Sequence, residues 1–139
     1  MSARDGIQAK LERLKRNCAQ LETCRQLNLE SFLEDPTAQN QACYLLFTAC
    51  QGALDIGTDL LSMQGLPKPD HEAAALAQLA EQDVCSETCV SQLTAMQGLC
   101  DSLSRQVEDI DPRWVYQTLQ TNLDGLNLFV GQVQEYMGK

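Results

Sequence analysis

Histidine is nearly missing from this sequence: His71 is the only one in 139 residues. A histidine-built metal centre is excluded, and a single imidazole is left for proton transfer near neutrality. Aromatic residues make up only 5%, so the core is expected to be aliphatic. The four prolines and eight glycines gather at a few points, which leaves long stretches free of helix breakers. No run alternates with period two for long enough to make a strand. No stretch approaches the ~20 apolar residues of a membrane span. The opening MSARDGIQAKLERLKR is charged and lacks the apolar segment of a secretory signal. These absences predict a soluble, cytoplasmic protein with no membrane partner.

Positive charge is also scarce, and unevenly placed. Formal net charge is −9, and six of the ten basic residues (Arg4, Lys10, Arg13, Lys15, Arg16 and Arg25) fall in the first 25 positions. From Gln26 onward only Lys68, Arg105, Arg113 and Lys139 face sixteen carboxylates. RNA is a conceivable partner through a basic strip on the first helix, but most of the chain would repel it.

Cysteine is plentiful, yet the count of seven is odd (Cys18, Cys24, Cys43, Cys50, Cys85, Cys89 and Cys100). With no secretory signal, that predicts free thiols acting as small buried hydrophobes. Cys43 and Cys50 share a helix face but should lie about 10 Å apart, from the 1.5 Å rise per residue, too far for a disulfide. Cys85 and Cys89 have ligand-like spacing, but no C-x-x-C or histidine cluster completes a metal site. No metal and no cofactor is expected, and redox or metal chemistry ranks last among the functional readings.

Hydrophobic residues reach 44%, enough for one domain spanning 1–139 to bury a core without staples. The apolar spacing is helical throughout. A first helix from Ala3 to about Leu27 carries Ile7, Leu11, Leu14, Cys18 and Leu21 in one stripe. Ser31-Phe32-Leu33-Glu34 has capping-box form and predicts a short turn. Asp35-Pro36 then opens a second helix to Gln64, with Ala42, Leu45, Ala49, Ala53, Ile56, Leu60 and Met63 in register and Gly65 as its stop. Small residues (Ala49, Gly52, Ala53, Gly57) line it, which favours close approach of a neighbour. A shorter helix follows Asp70 as N-cap, presenting Leu76 and Leu79. Ser86 caps a fourth, to about Asp109, with Cys89, Leu93, Met96, Cys100, Leu103 and Val107 in register. Asp111-Pro112 opens a fifth bearing Val115, Leu119, Leu126, Val130, Val133 and Met137. Gly125 inside it marks a close contact or a slight bend. The fold class is therefore all-α: an antiparallel up-and-down bundle of four long helices with a short helix inserted.

The order of segments is distinctive. ESFLEDPTAQNQACYLLFTACQGALDIGTDLL precedes GLPKPDHEAAALAQLAEQDV, then MQGLCDSLSRQVEDIDPRWVYQTL and a last helix ending VGQVQEYM. This series resembles the HepT-like branch of the HEPN superfamily, small helical bacterial proteins of toxin–antitoxin modules, and the resemblance covers nearly the whole chain. It implies a homodimer, with the small-residue face of the second helix and the end of the fourth as contact surfaces. It also implies a small nucleotidyltransferase of the antitoxin type as partner.

Active members of that family carry R-x4-H-x-Y at the end of the fourth helix and resemble metal-independent ribonucleases. The arginine holds the scissile phosphate and the histidine moves protons. Aligned without a gap on Gly98-Leu99 and Ile110-Asp111, this sequence places Cys100 at the arginine position, Asp101 at the polar position after it, Arg105 at the histidine position and Val107 at the tyrosine position. A guanidinium with a pKa above about 12 cannot exchange protons near neutrality. Cys100 offers no fixed positive charge. Val107 lacks the hydroxyl that receives AMP in related systems. Residue by residue, Cys100 and Val107 read as buried packing and Arg105 as an exposed or ion-paired arginine within reach of Asp101 and Asp109. Asp55 and Asp59, one turn apart, read as a solvated face before they read as a cation site. The sequence thus predicts a HepT-like protein without ribonuclease chemistry that acts by binding protein. The alternative is an active RNA endonuclease toxin using Arg105 on the phosphate and Asp101, or a dimer-mate carboxylate, as base.

Overall fold

Antiparallel helix pairs close into a ring. The computed structural model describes residues 2–105 and 109–138. Among them are six α-helices and no strand: α1 (Ala3–Arg25), α2 (Leu29–Leu33), α3 (Pro36–Met63), α4 (Glu72–Glu81), α5 (Glu87–Arg105) and α6 (Pro112–Met137). The four long helices pack α1 on α3, α3 on α5, α5 on α6 and α6 on α1. Side-chain pairs fix their directions. Lys10, early in α1, meets Asp55 and Asp59, late in α3. Gln92, early in α5, accepts from Asn122 of α6 at 2.7 Å. Arg25 at the end of α1 bonds Asp124 at 2.9 Å, while Arg4 at its start donates to the Met137 carbonyl. The result is the up-and-down bundle of four long helices, with α4 as the inserted short one.

Local chemistry sets most boundaries. Asp35 and Asp111 cap α3 and α6 ahead of proline, accepting from Ala38 N at 3.1 Å and Arg113 N at 2.9 Å. Ser86 Oγ accepts from Cys89 N at 3.2 Å to start α5. Gly65, at φ +77, stops α3, and Leu66 N returns to Leu61 O at 3.1 Å. Two caps differ from expectation. Asn28, not Ser31, caps the short α2, accepting from Ser31 N at 2.8 Å. His71, not Asp70, caps α4, its Nδ1 accepting from Ala74 N at 3.1 Å. In both cases the competing residue sits one to three positions off the point where the backbone turns helical.

The apolar stripes face a shared core, and their described members are buried except Met63, which lies exposed at the end of α3. The core is mainly aliphatic, but Phe32 and Phe129 lie fully buried within it, so the scarcity of aromatics did not keep them out. The small-residue face of α3 turns inward. Ala49 and Ala53 are buried, and a Cβ on Gly57 would stand 2.7 Å from Leu79 Cδ1 of α4. Those three serve contacts within the chain, whereas Gly52 is partly exposed and a Cβ there would meet nothing within 4 Å.

Two cysteines also depart from expectation. Cys50 of α3 and Cys100 of α5 are disulfide-bonded, their Cα atoms 6.8 Å apart. The antiparallel crossing of the two helices brings them together, a juxtaposition that spacing along one helix cannot show. The other five are free and buried, as expected.

Candidate functional site

The residues singled out in the sequence lie on the last turns of α5. Leu99, Cys100 and Leu103 point into the bundle, so Asp101 is left at its edge and Ser104 and Arg105 face solvent. Cys100 is only 2% exposed, bonded to Cys50, and its Sγ lies 3.7 Å from the Leu46 carbonyl oxygen. Asp101 is half-buried and accepts from Gln97 Nε2 at 3.0 Å. Arg105 is exposed and forms no ion pair with Asp101 or Asp109 among the described residues. Val107 lies outside the described residues. Of the four positions, then, Asp101 and Arg105 present polar groups at one end of the bundle, and Cys100 does not.

One neighbour was missed from sequence. Glu72, the first residue of α4, faces Asp101. Burial in the first place, and then the charge and hydrogen bonding of Asp101, hold its carboxyl above the usual value. Only the packing of α4 against α5 brings the two acids together; 29 positions apart in sequence, they carry no spacing signal. The sole imidazole is next door at His71, but its Nδ1 is committed to capping α4.

Glu72 also forms one wall of a cleft of about 590 Å³ between α1, α3 and the α3–α4 connection. Lys10, Arg13 and Lys68 line it together with Asp55 and Glu72, so its charge is mixed. Lys10 is not free there: it bridges Asp55 at 3.0 Å and Asp59 at 2.6 Å. Those bonds, that to Asp59 foremost, raise its pKa. The acid pair of α3 therefore neither faces water alone nor awaits a cation. No cluster of three or more metal-binding side chains occurs among the described residues, and none of their helices is long and apolar enough to cross a membrane.

Family comparison places this geometry. A profile described as Ribonuclease HepT-like matches residues 10–133. The chain belongs to that family. A curated relative, tRNA nuclease HepT of Aphanizomenon flos-aquae, is 25% identical over 131 residues, covering 94% of this chain and 89% of its own. The tri-AMPylated HEPN toxin of Shewanella oneidensis, solved in complex with its MNT antitoxin, superposes with a TM-score of 0.84 at 20% identity, covering 97% of this chain and 99% of the toxin. A cytosolic protein of unknown function from Bacillus subtilis, YutE, gives 0.84 at 16% identity, covering 96% and 90%. Identities this low carry the fold alone. Within the HepT-like chain the end of α5 combines a buried sulfur, a carboxylate pair and an exposed guanidinium. That set can bind an anion weakly at Arg105 and favours the protonated form of Glu72. It brings no imidazole to the motif.

Proposed function

We propose that this HepT-like chain is the toxin-type subunit of a bacterial HEPN/nucleotidyltransferase module and acts by binding protein, not by cutting RNA. In this reading residues 1–139 form one domain that dimerises, works in the cytoplasm and pairs with a small nucleotidyltransferase of the antitoxin type. The observation that carries the loss of chemistry is the orientation of Cys100. At the aligned position of the phosphate anchor, the side chain is neutral and turned into the core. Losing a charge-stabilising donor costs about 10²- to 10³-fold in rate, and losing the acid–base group about 10²- to 10⁴-fold more. Arg105 cannot supply the second role, because its guanidinium keeps its proton. The partner is supported by the relative solved with an MNT antitoxin.

The test is co-expression with a small nucleotidyltransferase from the same cell, followed by gel filtration and a tRNA cleavage assay. A stable complex and no cleavage above background are expected. Cleavage by the isolated protein that Arg105→Ala abolishes would establish the endonuclease alternative, in which Arg105 holds the phosphate and Asp101 or a dimer-mate carboxylate is the base. Absence of a complex would remove the binding role.

A further inference from the structure

A cysteine stands where the resembled motif has arginine, and its sulfur is bonded across to the neighbouring long helix. Three observations bear on what that bond does. Cys50 and Cys100 meet with Cα atoms 6.8 Å apart, within the range of about 4.4–6.8 Å that disulfides span. The Leu46 carbonyl lies 3.7 Å from Cys100 Sγ, where a thiol hydrogen would find an acceptor. Cys50 borders a small void with Leu54, Leu76, Leu93 and Gln97. The same packing therefore accommodates both redox forms. Reduced, Cys100 donates to Leu46 O; oxidised, it is tied to Cys50. The Cα spacing lets either form be reached without α3 and α5 separating.

We propose that Cys50 and Cys100 are a reversible dithiol–disulfide pair whose bond clamps the last turns of α5, bearing Asp101 and Arg105, onto α3. The inference is independent of the partner assigned above. Hydrogen peroxide is the oxidant, and Cys50, 4% exposed beside the void, is the thiol it reaches as the packing breathes. It converts the Cys50 thiol to a sulfenic acid: the O–O bond breaks, an S–O bond forms and one water leaves. The Cys100 sulfur then attacks the Cys50 sulfur, forming S–S and breaking S–O, and its proton leaves with the hydroxide as a second water. Two thiols lose two electrons and one peroxide becomes two waters. A small dithiol such as dithiothreitol reverses the change by exchange through a mixed disulfide. The other five cysteines are buried and free.

The experiment uses the full chain. Reduced protein is treated with equimolar peroxide, quenched in acid, alkylated and mapped by mass spectrometry, then compared by hydrogen exchange before and after oxidation. Loss of two thiols, a single Cys50–Cys100 linked peptide, its reversal by dithiothreitol, and slower exchange across residues 97–105 in the oxidised form are expected. Cys50→Ser should block the linkage and Cys43→Ser should not. Linkage through any other cysteine, no linkage, or unchanged exchange at the end of α5 overturns the proposal. The wild-type measurement stands even where a serine variant folds poorly.

Discussion

Alanine at Gly125 should destabilise the bundle, although alanine is the better helix former. By propensity alone the change gains about 0.8–1.0 kcal/mol in a helix interior. Gly131, six residues further along the same helix, should show that gain, because a Cβ there meets nothing within 4 Å. At Gly125 the added carbon overlaps Gln92 Cβ, and it also lies 3.3 Å from Gln92 Cγ and 3.6 Å from the Gln92 backbone carbon. Gln92 Cβ cannot swing aside as a flexible side-chain end would, so α5 and α6 must part. Overpacking of this kind costs about 1–3 kcal/mol. With a rigid neighbour the upper half of that range applies, for a net loss of about 1–2 kcal/mol. The two alanine variants should then differ by about 2–3 kcal/mol. Urea unfolding followed by circular dichroism reads this as opposite shifts in midpoint at unchanged slope. Two midpoints moving together, or Gly125→Ala equal to wild type, would refute the account of the α5–α6 contact.

The remaining predictions test the site and its surroundings. Folding disfavours ionised Glu72, because burial and Asp101 hold its pKa above the unfolded value; that cost is absent in acid and appears as pH rises through the folded pKa. Glu72→Gln should therefore raise Tm at about pH 7 and leave it unchanged near pH 3, and an equal gain at both would contradict the shift. Lys10 gains affinity for its proton from Asp59 and Asp55, so its contribution holds at neutral pH and fades as pH climbs past the folded value. With its side chain a third exposed, Lys10→Met should cost under about 1 kcal/mol at low salt and less in 1 M salt, as urea titrations at the two ionic strengths would record. Burial pushes the Cys18 thiol up to about 11, so iodoacetamide at pH 8 should label it far more slowly in native than in urea-unfolded protein. Cys100→Arg, the first step in rebuilding the family motif, should abolish cooperative unfolding, because it drives a charge into the core beside Leu46 and Cys50; a folded variant with wild-type Tm would show that the α5 end can turn outward. Static light scattering at micromolar concentration should give twice the chain mass, and a monomer would count against the dimer.

Helices announced themselves through spacing. The stripe of Ile7, Leu11, Leu14, Cys18 and Leu21 and the Asp-Pro starts of α3 and α6 are local signals, and the structure follows them. Gly125 was marked by its position alone, and the close contact is there. What sequence could not show depends on which helices adjoin. The inward turn of Ala49, Ala53 and Gly57 follows from α4 lying over α3. The Cys50–Cys100 bond and the Glu72–Asp101 pair both arise where one helix crosses another. His71 took the cap from Asp70 because an imidazole nitrogen can accept from the backbone as a carboxylate does. At the site, residue chemistry was legible for Arg105, whereas the burial of Cys100 was read from its stripe and its bond was not.

The seam between α1 and α6 joins the first turn of the bundle to the last, through Arg4 and the Met137 carbonyl. Those contacts span nearly the whole chain, so the loop that closes them is the longest and entropically the most costly in the fold. Joining the two ends with a short linker and reopening the chain in the Gly65–Asp70 connection would turn that seam into a local hairpin. Such a permuted chain would keep every helix pair but hand the long-range closure to the α3–α4 contact, so that Gly57 and Leu79, neighbours across a short connection in the parent, would become the pair far apart in sequence, and on topological grounds the folding rate should change little.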